Sequence, residues 1–405
     1  MLPRLTIQMA DKRIPELAPH IRSAEVVLPC ADLAASLAFF TETLGFRIEM
    51  IFPADAPSTA VVSGYGVNVR LELRAPDAQT ASIPALRLFC DQLELTRSAA
   101  GTLHGPGGIR VELVDEASSF DLPQGTQEFV LSRGGDERAW GVGRAGMQYR
   151  DLIPGRLGGR FVASHIRILD GGDVPDYVHY HKIRFQMIYC KTGWVRVVYE
   201  DQGAPFLLQA GDCVLQPPEI RHRVLEASAG AEVIEIGCPA IHATFADHAL
   251  QLPTLEVRPE RLFGAQRFVR HVAADANWSP SHGPGFETRD TGIAAATAGL
   301  GCVRVIRPRV TSAPDSPIPG GDWAADAIHS GEFLFLFVLG GALLLQCEPF
   351  GRHALHADDS VVIPAGTHFK LQAGEGLELL EVRMPALNRG AIPLPLTAAS
   401  TVTGH

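Results

Sequence analysis

Only 7% of the 405 residues are aromatic, and no apolar run is long enough to cross a bilayer. The longest, Phe333 to Leu339 with Ala342 to Leu345 after two glycines, is too short and too interrupted. The chain from Met1-Leu2-Pro3-Arg4 onward shows no continuous apolar core of the signal-peptide kind. Seven cysteines are dispersed, odd in number and without a C-x-x-C pair, which argues against a disulfide framework or a thiolate zinc site. Buried free thiols in a reducing compartment fit better, so a cytoplasmic protein is expected. The net charge of -10 is spread without runs of one sign, so neither a nucleic acid nor a membrane is expected as a partner. A small molecule is the natural ligand.

What is plentiful is glycine (40) and proline (29), scattered between short segments. That favours a turn-rich, mainly β protein over a helical bundle, and the length calls for roughly two to four domains. The clearest chemistry lies between Gly172 and His222, where His179-Tyr180-His181, Gln186 and His222 are spaced to converge on one divalent metal. Residues 179 and 181 sit on the same face of a strand, about 7 Å apart along the chain. Gln186 opens the next β-branched and aromatic run, and His222 follows a strand and a Pro-marked turn.

Residues 20–117 read as an α+β domain. A strand at Ala24 to Pro29 precedes a helix of about three turns capped by Asp32 and stopped by Gly45, with Leu33, Leu37, Phe40 and Leu44 at helical spacing. Strands at Arg47 to Phe52, Thr59 to Ser63 and Val67 to Leu73 complete a βαβββ order. The phrase Asp32-Leu33-x-x-Ser36-Leu37-x-Phe39-Phe40-x-x-x-Leu44-Gly45-Phe46 resembles the vicinal oxygen chelate family of glyoxalases, extradiol dioxygenases and bleomycin-resistance proteins. In its second half, Ala85 to Cys90 and Ile109 to Val114 read as strands with no matching helix between them. The resemblance places metal ligands at Glu25, Glu72, Ala85 and Glu112. Alanine cannot ligate, so a structural or dimerising role or a substrate-binding remnant is expected, and a homodimer is possible on family grounds.

Residues 118–145 read as a surface linker, and two mutually similar β-rich blocks follow, at 146–250 and 280–390, joined by a second linker at 251–279. Tyr149-Arg150-Asp151 with Gly159 to Ile168 corresponds to Thr288-Arg289-Asp290 with Gly301 to Ile306, a repeat of about 140 residues. The first block resembles the cupin superfamily of small jelly-roll barrels. Its first motif reads Gly172, His179-Tyr180-His181, Gln186, Gly193, and its second Gly211, Pro217-Pro218-Glu219-Ile220-Arg221-His222. Gln186 replaces the customary Glu, and Glu219 the customary Gly of the turn.

The resemblance implies a bicupin with one divalent metal held by His179, His181, Gln186 and His222. Fe(II) is favoured, with Zn(II), Mn(II), Ni(II) or Cu(II) as alternatives. Gln for Glu removes a negative charge, so the ion should bind anionic oxygens such as enolates, phenolates or carboxylates. Tyr177, Tyr180 and Arg184 flank the ligands as candidate substrate contacts, and strand alternation puts Ile188 and Cys190 on the face of Gln186. His165, His242 and His271 show no ligand spacing and read as surface or capped residues. The second block has His329 where the second histidine would be, Ala327 at the first, Phe333 at the Glu position and His368 one residue early, so it reads as degenerate. Phe333, Phe335 and Phe337 alternate with Leu334 and Leu336, as in a strand buried on both faces. An Fe(II) dioxygenase acting on an enol, phenol or dicarbonyl is the leading expectation. The alternatives are a redox-neutral isomerase, lyase or polyketide cyclase, and a non-catalytic small-molecule-binding bicupin.

Overall fold

The computed structural model describes residues 21–74, 85–90, 102–104, 110–115, 122–143, 146–280, 285–309 and 327–385. The N-terminal tract from Met1, residues 91–101 where the sequence shows no matching second helix, and the expected boundaries at 118–121 and 386–390 lie outside them. The chain divides into two compact units, Met1–Pro53 with Pro57–Asp121, and Ala54–Ala56 with Leu122–His405. No helix among the described residues is long and apolar enough to cross a membrane.

In the first unit the strand Ile21–Cys30 leads into the helix Leu33–Ala38, which continues as a π-helical turn over Phe39–Thr43. The Asp32 side chain caps it by accepting from the Ala35 N–H at 2.9 Å. Strands Arg47–Phe52, Thr59–Gly64 and Val67–Leu73 follow, the last parallel to the first. The expected βαβββ order is therefore present. Leu33, Ile51, Ala60, Val62 and Leu71 form its core, with Leu37 and Phe40 packed on from the helical segment.

The second unit is two antiparallel β-barrels, each a pair of facing sheets, giving a mainly β fold. In the first barrel one sheet runs Trp140–Val142, Gln148–Asp151, Val162–Ile168, Ala231–Cys238, Phe185–Thr192, Cys213–Leu215 and Val269–His271. Its partner sheet orders Phe206–Gln209, Trp194–Tyr199, His222–Ala227, His179–His181 and Thr244–Ala246. The second barrel repeats the plan, with Cys302–Pro308, Glu378–Met384 and Phe333–Gly340 at the centre of one sheet and His368–Ala373 and Ala342–Glu348 at the centre of the other.

The segments read as linkers are woven into these sheets. Val130–Ser132 pairs with Ser360–Val362 of the second barrel, and Trp140–Val142 with Gln148–Asp151 of the first. Val269–His271 likewise joins Cys213–Leu215, and Ser279–Pro280 joins Phe286–Asp290. Each of these short strands serves as a sheet edge, covering a strand whose backbone groups would otherwise be left unpaired.

Strand alternation explains how the barrels meet. Phe185, Met187 and Tyr189 enter a core shared with Phe333, Phe335 and Phe337 of the second barrel, while Ile188 and Cys190 pack into the first barrel's own interior. Leu334, Leu336 and Val338 do the same in the second barrel. Phe161 stacks on Phe333 with ring centroids 4.1 Å apart, and Glu332 receives both Arg160, at 2.6 Å, and Arg184, at 3.0 Å. The two-faced burial expected for Phe333–Gly340 thus has a cause: one face fills its own barrel, the other the joint.

Candidate metal centre

His179 and His181 lie on one face of the strand His179–His181 and are buried, while Tyr180 between them is half-exposed. His222 begins the neighbouring antiparallel strand directly opposite His179. The His179 and His222 rings lie 4.2 Å apart, and each is 5.4 Å from His181. Each ring turns Nδ1 toward a backbone carbonyl: Tyr177 O at 2.8 Å for His179, Ile220 O at 2.9 Å for His222 and Ala243 O at 3.2 Å for His181. A carbonyl can only accept, so Nδ1 carries the proton and Nε2 keeps its lone pair for a metal. Asp176, buried 3.5 Å from His179 Nδ1, adds a carboxylate behind the same ring. One ligand atom from each of the three histidines lies within 4.8 Å of the others. Three neutral imidazoles with fixed tautomers are a donor set that fits one divalent ion.

The turn before His222 has its own local reason. Glu219 takes a left-handed backbone with φ 62°, the conformation for which glycine is customary, and its N–H donates to His181 O at 2.9 Å. The turn therefore keeps its shape despite the substitution and ties the two histidine strands together.

Beside the triad is a cavity of about 80 Å³. Its apolar lining includes Ile166, Ile188, Val197 and Leu208, and its polar lining is His179, His222, Gln186, Tyr199, Gln216, Arg223 and Glu235. Gln186 Nε2 donates to Glu235 Oε1 at 2.5 Å, which leaves the amide oxygen as the atom Gln186 can offer an ion. Gln216 Nε2 donates to the Tyr199 hydroxyl at 2.9 Å, and Gln216 Oε1 is buried with no partner among the described residues. Tyr199 stacks on His222 with centroids 5.6 Å apart, and burial raises its phenol above the ordinary value. The orphaned Gln216 oxygen suits a ligand donor.

None of the four flanking residues proposed from the sequence lines this cavity. Tyr177 packs edge-on against His179 at 5.9 Å. Tyr180 faces the other way, stacked on Phe245 and covered by the Arg221 guanidinium at 4.1 Å from its ring. Arg184 is held by Glu332 at the joint between the barrels, so its charge is spent on packing. Cys190 lies inside the barrel, but its Sγ faces the Thr192 and Gly193 carbonyls, and burial pushes the thiol up to about 12. The residues that sequence reasoning missed are Tyr199, Gln216 and Glu235. Their signal is polarity on the inward face of apolar strands, visible for Glu235 in Val233-Ile234-Glu235-Ile236 once the face is known.

Of the other histidines, His242 is capped as expected, while His165 is buried and held in a polar network. His165 is buried, with Nε2 2.9 Å from Glu232 and Nδ1 3.1 Å from Arg150. With Asp358 these residues could form a second ligand cluster, but the Lys191 ammonium already sits 2.6 Å from Glu232 and 2.7 Å from Asp358. His242 stands edge-on to His181 at 5.2 Å, capped by Pro239 O, where burial lowers its pKa. His271 is half-buried, its pKa also lowered by burial.

The second barrel assembles no such triad among the described residues. Ile328 pairs with His368 as His179 pairs with His222, and His368 is exposed. His329 is buried with Nδ1 accepting from Gly331 N–H, and burial pushes it down to about 4. The position matching Gln186 is Leu334 and not Phe333: Gln186 pairs with Gly237 as Leu334 pairs with Arg383. In the first unit Arg70 lies 3.7 Å from Glu25 and 3.0 Å from Glu72, with Arg74 2.8 Å from Glu72. These carboxylates are engaged by guanidinium groups; the side chains of Ala85 and Glu112 lie outside the described residues.

No protein-family model matches the sequence, and no curated protein matches it. Among solved structures, protein Ylba from E. coli, of the family-model DUF861, is similar at 12% identity and TM-score 0.42, over 66% of this chain and 95% of that one. A mutant of Bacillus subtilis oxalate decarboxylase OxdC is similar at 14% identity and TM-score 0.46, over 65% and 79%. Oxalate decarboxylase of Lactobacillus farciminis, in a formate complex, gives 14% and 0.45, over 66% and 89%. Likeness at this level says nothing of activity, and the description of two barrels rests on their strand order.

Proposed function

We propose that the first barrel is the centre of a metal-dependent enzyme acting on a small oxygenated molecule, an enol, phenol or dicarbonyl. The observation that carries this reading is the convergence of three buried imidazoles, each with Nδ1 committed to a carbonyl, two of which, His179 and His222, line a largely apolar cavity. His179, His181 and His222 would hold one divalent ion, with Gln186 as a fourth donor, and the ion supplies Lewis acidity and, if Fe(II), the redox capacity for oxygenation. The apolar wall excludes water from substrate and site. Tyr199 and Gln216, which line the same cavity as Gln186, orient the substrate. A cavity of about 80 Å³ admits only a small reacting part, well under the several hundred Å³ of drug-sized pockets.

Dioxygenation with Fe(II) is the preferred chemistry, because neutral donors leave the dication's charge for an anionic substrate to neutralise. A redox-neutral isomerase, lyase or cyclase is the second reading, and Glu235 favours it by bringing into the cavity a carboxylate that can accept a proton. For the first unit we propose a structural or dimerising role, or a substrate-binding remnant of the vicinal oxygen chelate type. Purified protein should carry iron and consume oxygen with catechol-like or β-dicarbonyl substrates. Tightly held zinc, or iron with no oxygen uptake across a broad panel, would transfer the assignment to the redox-neutral reading.

A further inference from the structure

Corresponding strands of the two barrels place a glutamate at the same point. Glu235 lies opposite Ser164 and Ile188, and Glu381 lies opposite Arg304 and Leu336. Their surroundings differ. Glu381 is fully buried and neutralised twice, by Arg304 Nε at 2.5 Å and Arg383 Nη2 at 2.6 Å. The residues matching those arginines in the first barrel are Ser164 and Gly237, and among the described residues neither Lys nor Arg pairs with Glu235. Its hydrogen-bond partner is the neutral amide of Gln186. Arg223 also lines this cavity but makes no ion pair with Glu235 among the described residues, and a carboxylate facing a largely apolar cavity with no cation in contact is costly unless positive charge arrives from elsewhere. The barrel without a histidine triad carries its own cations for this glutamate, and the barrel with the triad leaves the place open.

We infer that Glu235 is a positioning residue for the metal, acting through Gln186. By accepting from Nε2 it fixes which end of the amide faces the histidines and raises the donor strength of the amide oxygen. Its negative charge offsets one of the dication's two positive charges from behind the position where a ligating glutamate would stand, and leaves the other for an anionic substrate. The site is then not electrically neutral in its protein groups: the charge lost at position 186 is kept at 235. This inference rests on the metal-centre reading of the preceding section.

The test is competitive titration of the full chain with Zn(II) and with Mn(II) against a chromophoric chelator, alongside the unfolding temperature of the metal-free protein. Glu235→Gln should weaken metal binding about 10- to 100-fold, the range typical for loss of a group that supports a ligand. The exchange variant Q186E/E235Q, which returns the carboxylate to position 186 and keeps the hydrogen-bonded pair, should recover nearly wild-type affinity. Glu256→Gln, at an exposed position, should leave affinity unchanged and so control for net charge. Wild-type affinity in Glu235→Gln, or no recovery in the exchange variant, overturns the inference. If Glu235→Gln does not fold, the exchange variant decides alone, near-wild-type binding supporting the inference and a tenfold loss overturning it. Retention of metal by His179→Ala would instead remove the centre itself, a distinct outcome.

Discussion

At the scale of single residues, burial alone does not tell what a histidine does; the partner of Nδ1 does. His179, His181 and His222 each give that nitrogen to a carbonyl, whereas His329 uses it to accept the Gly331 N–H. The His329 ring is consequently a buried neutral group with no partner for Nε2 among the described residues, and burial holds its pKa down to about 4. The unfolded chain takes up a proton near pH 6.5 that the folded chain declines until about 4. Stability is thus complete above about pH 6.5 and falls as pH drops toward 4, by on the order of 3 kcal/mol. Urea unfolding at pH 7 and pH 4.5 should show a smaller difference for His329→Gln than for the wild type; an unchanged difference would rule His329 out as the acid-sensitive group. Cys190 carries the lesson about legibility at this scale. Alternation placed it on the correct face, but whether a side chain reaches the cavity depends on its depth in the barrel, which local spacing does not encode.

At the scale of elements, the strands around the triad follow from local pattern, since β-branched residues and Gly or Pro turns mark their ends and the His-x-His spacing sets their inward face. Pairings across long sequence distances were not legible. Arg184 stands three residues after His181 and invites a substrate role, yet its partner, Glu332, comes from the other barrel. Glu235 was missed for the same reason, because only strand register brings it to Gln186. Arg184→Ala should lower the unfolding temperature by a few degrees, consistent with about 1–3 kcal/mol for a largely buried ion pair that keeps Arg160 as a second partner. Metal affinity should be unchanged. Weakened substrate binding with unaltered stability would return Arg184 to the site.

For the whole second unit, the shared core makes the barrels energetically one body. Phe335 packs with Phe185, Met187 and Leu215 of the first barrel in that core. Phe335→Ala should therefore destabilise both barrels together, by about 3–5 kcal/mol. Hydrogen exchange should show loss of protection in Phe185–Thr192 as well as in Phe333–Gly340; loss confined to the second barrel would mean that the two fold separately. The division of labour follows from the same architecture. The second barrel contributes half of the joint and quenches its internal glutamate with arginines, while the first keeps its histidines and an open charge balance. The most direct measurement of this asymmetry is the number of metal ions bound per chain, by elemental analysis of the wild type, His179→Ala, His222→Ala and His368→Ala. The expected result is one ion per chain in the wild type and in His368→Ala, and none in the other two. Two ions per chain, or an ion retained without His179 or His222, would contradict a single centre in the first barrel.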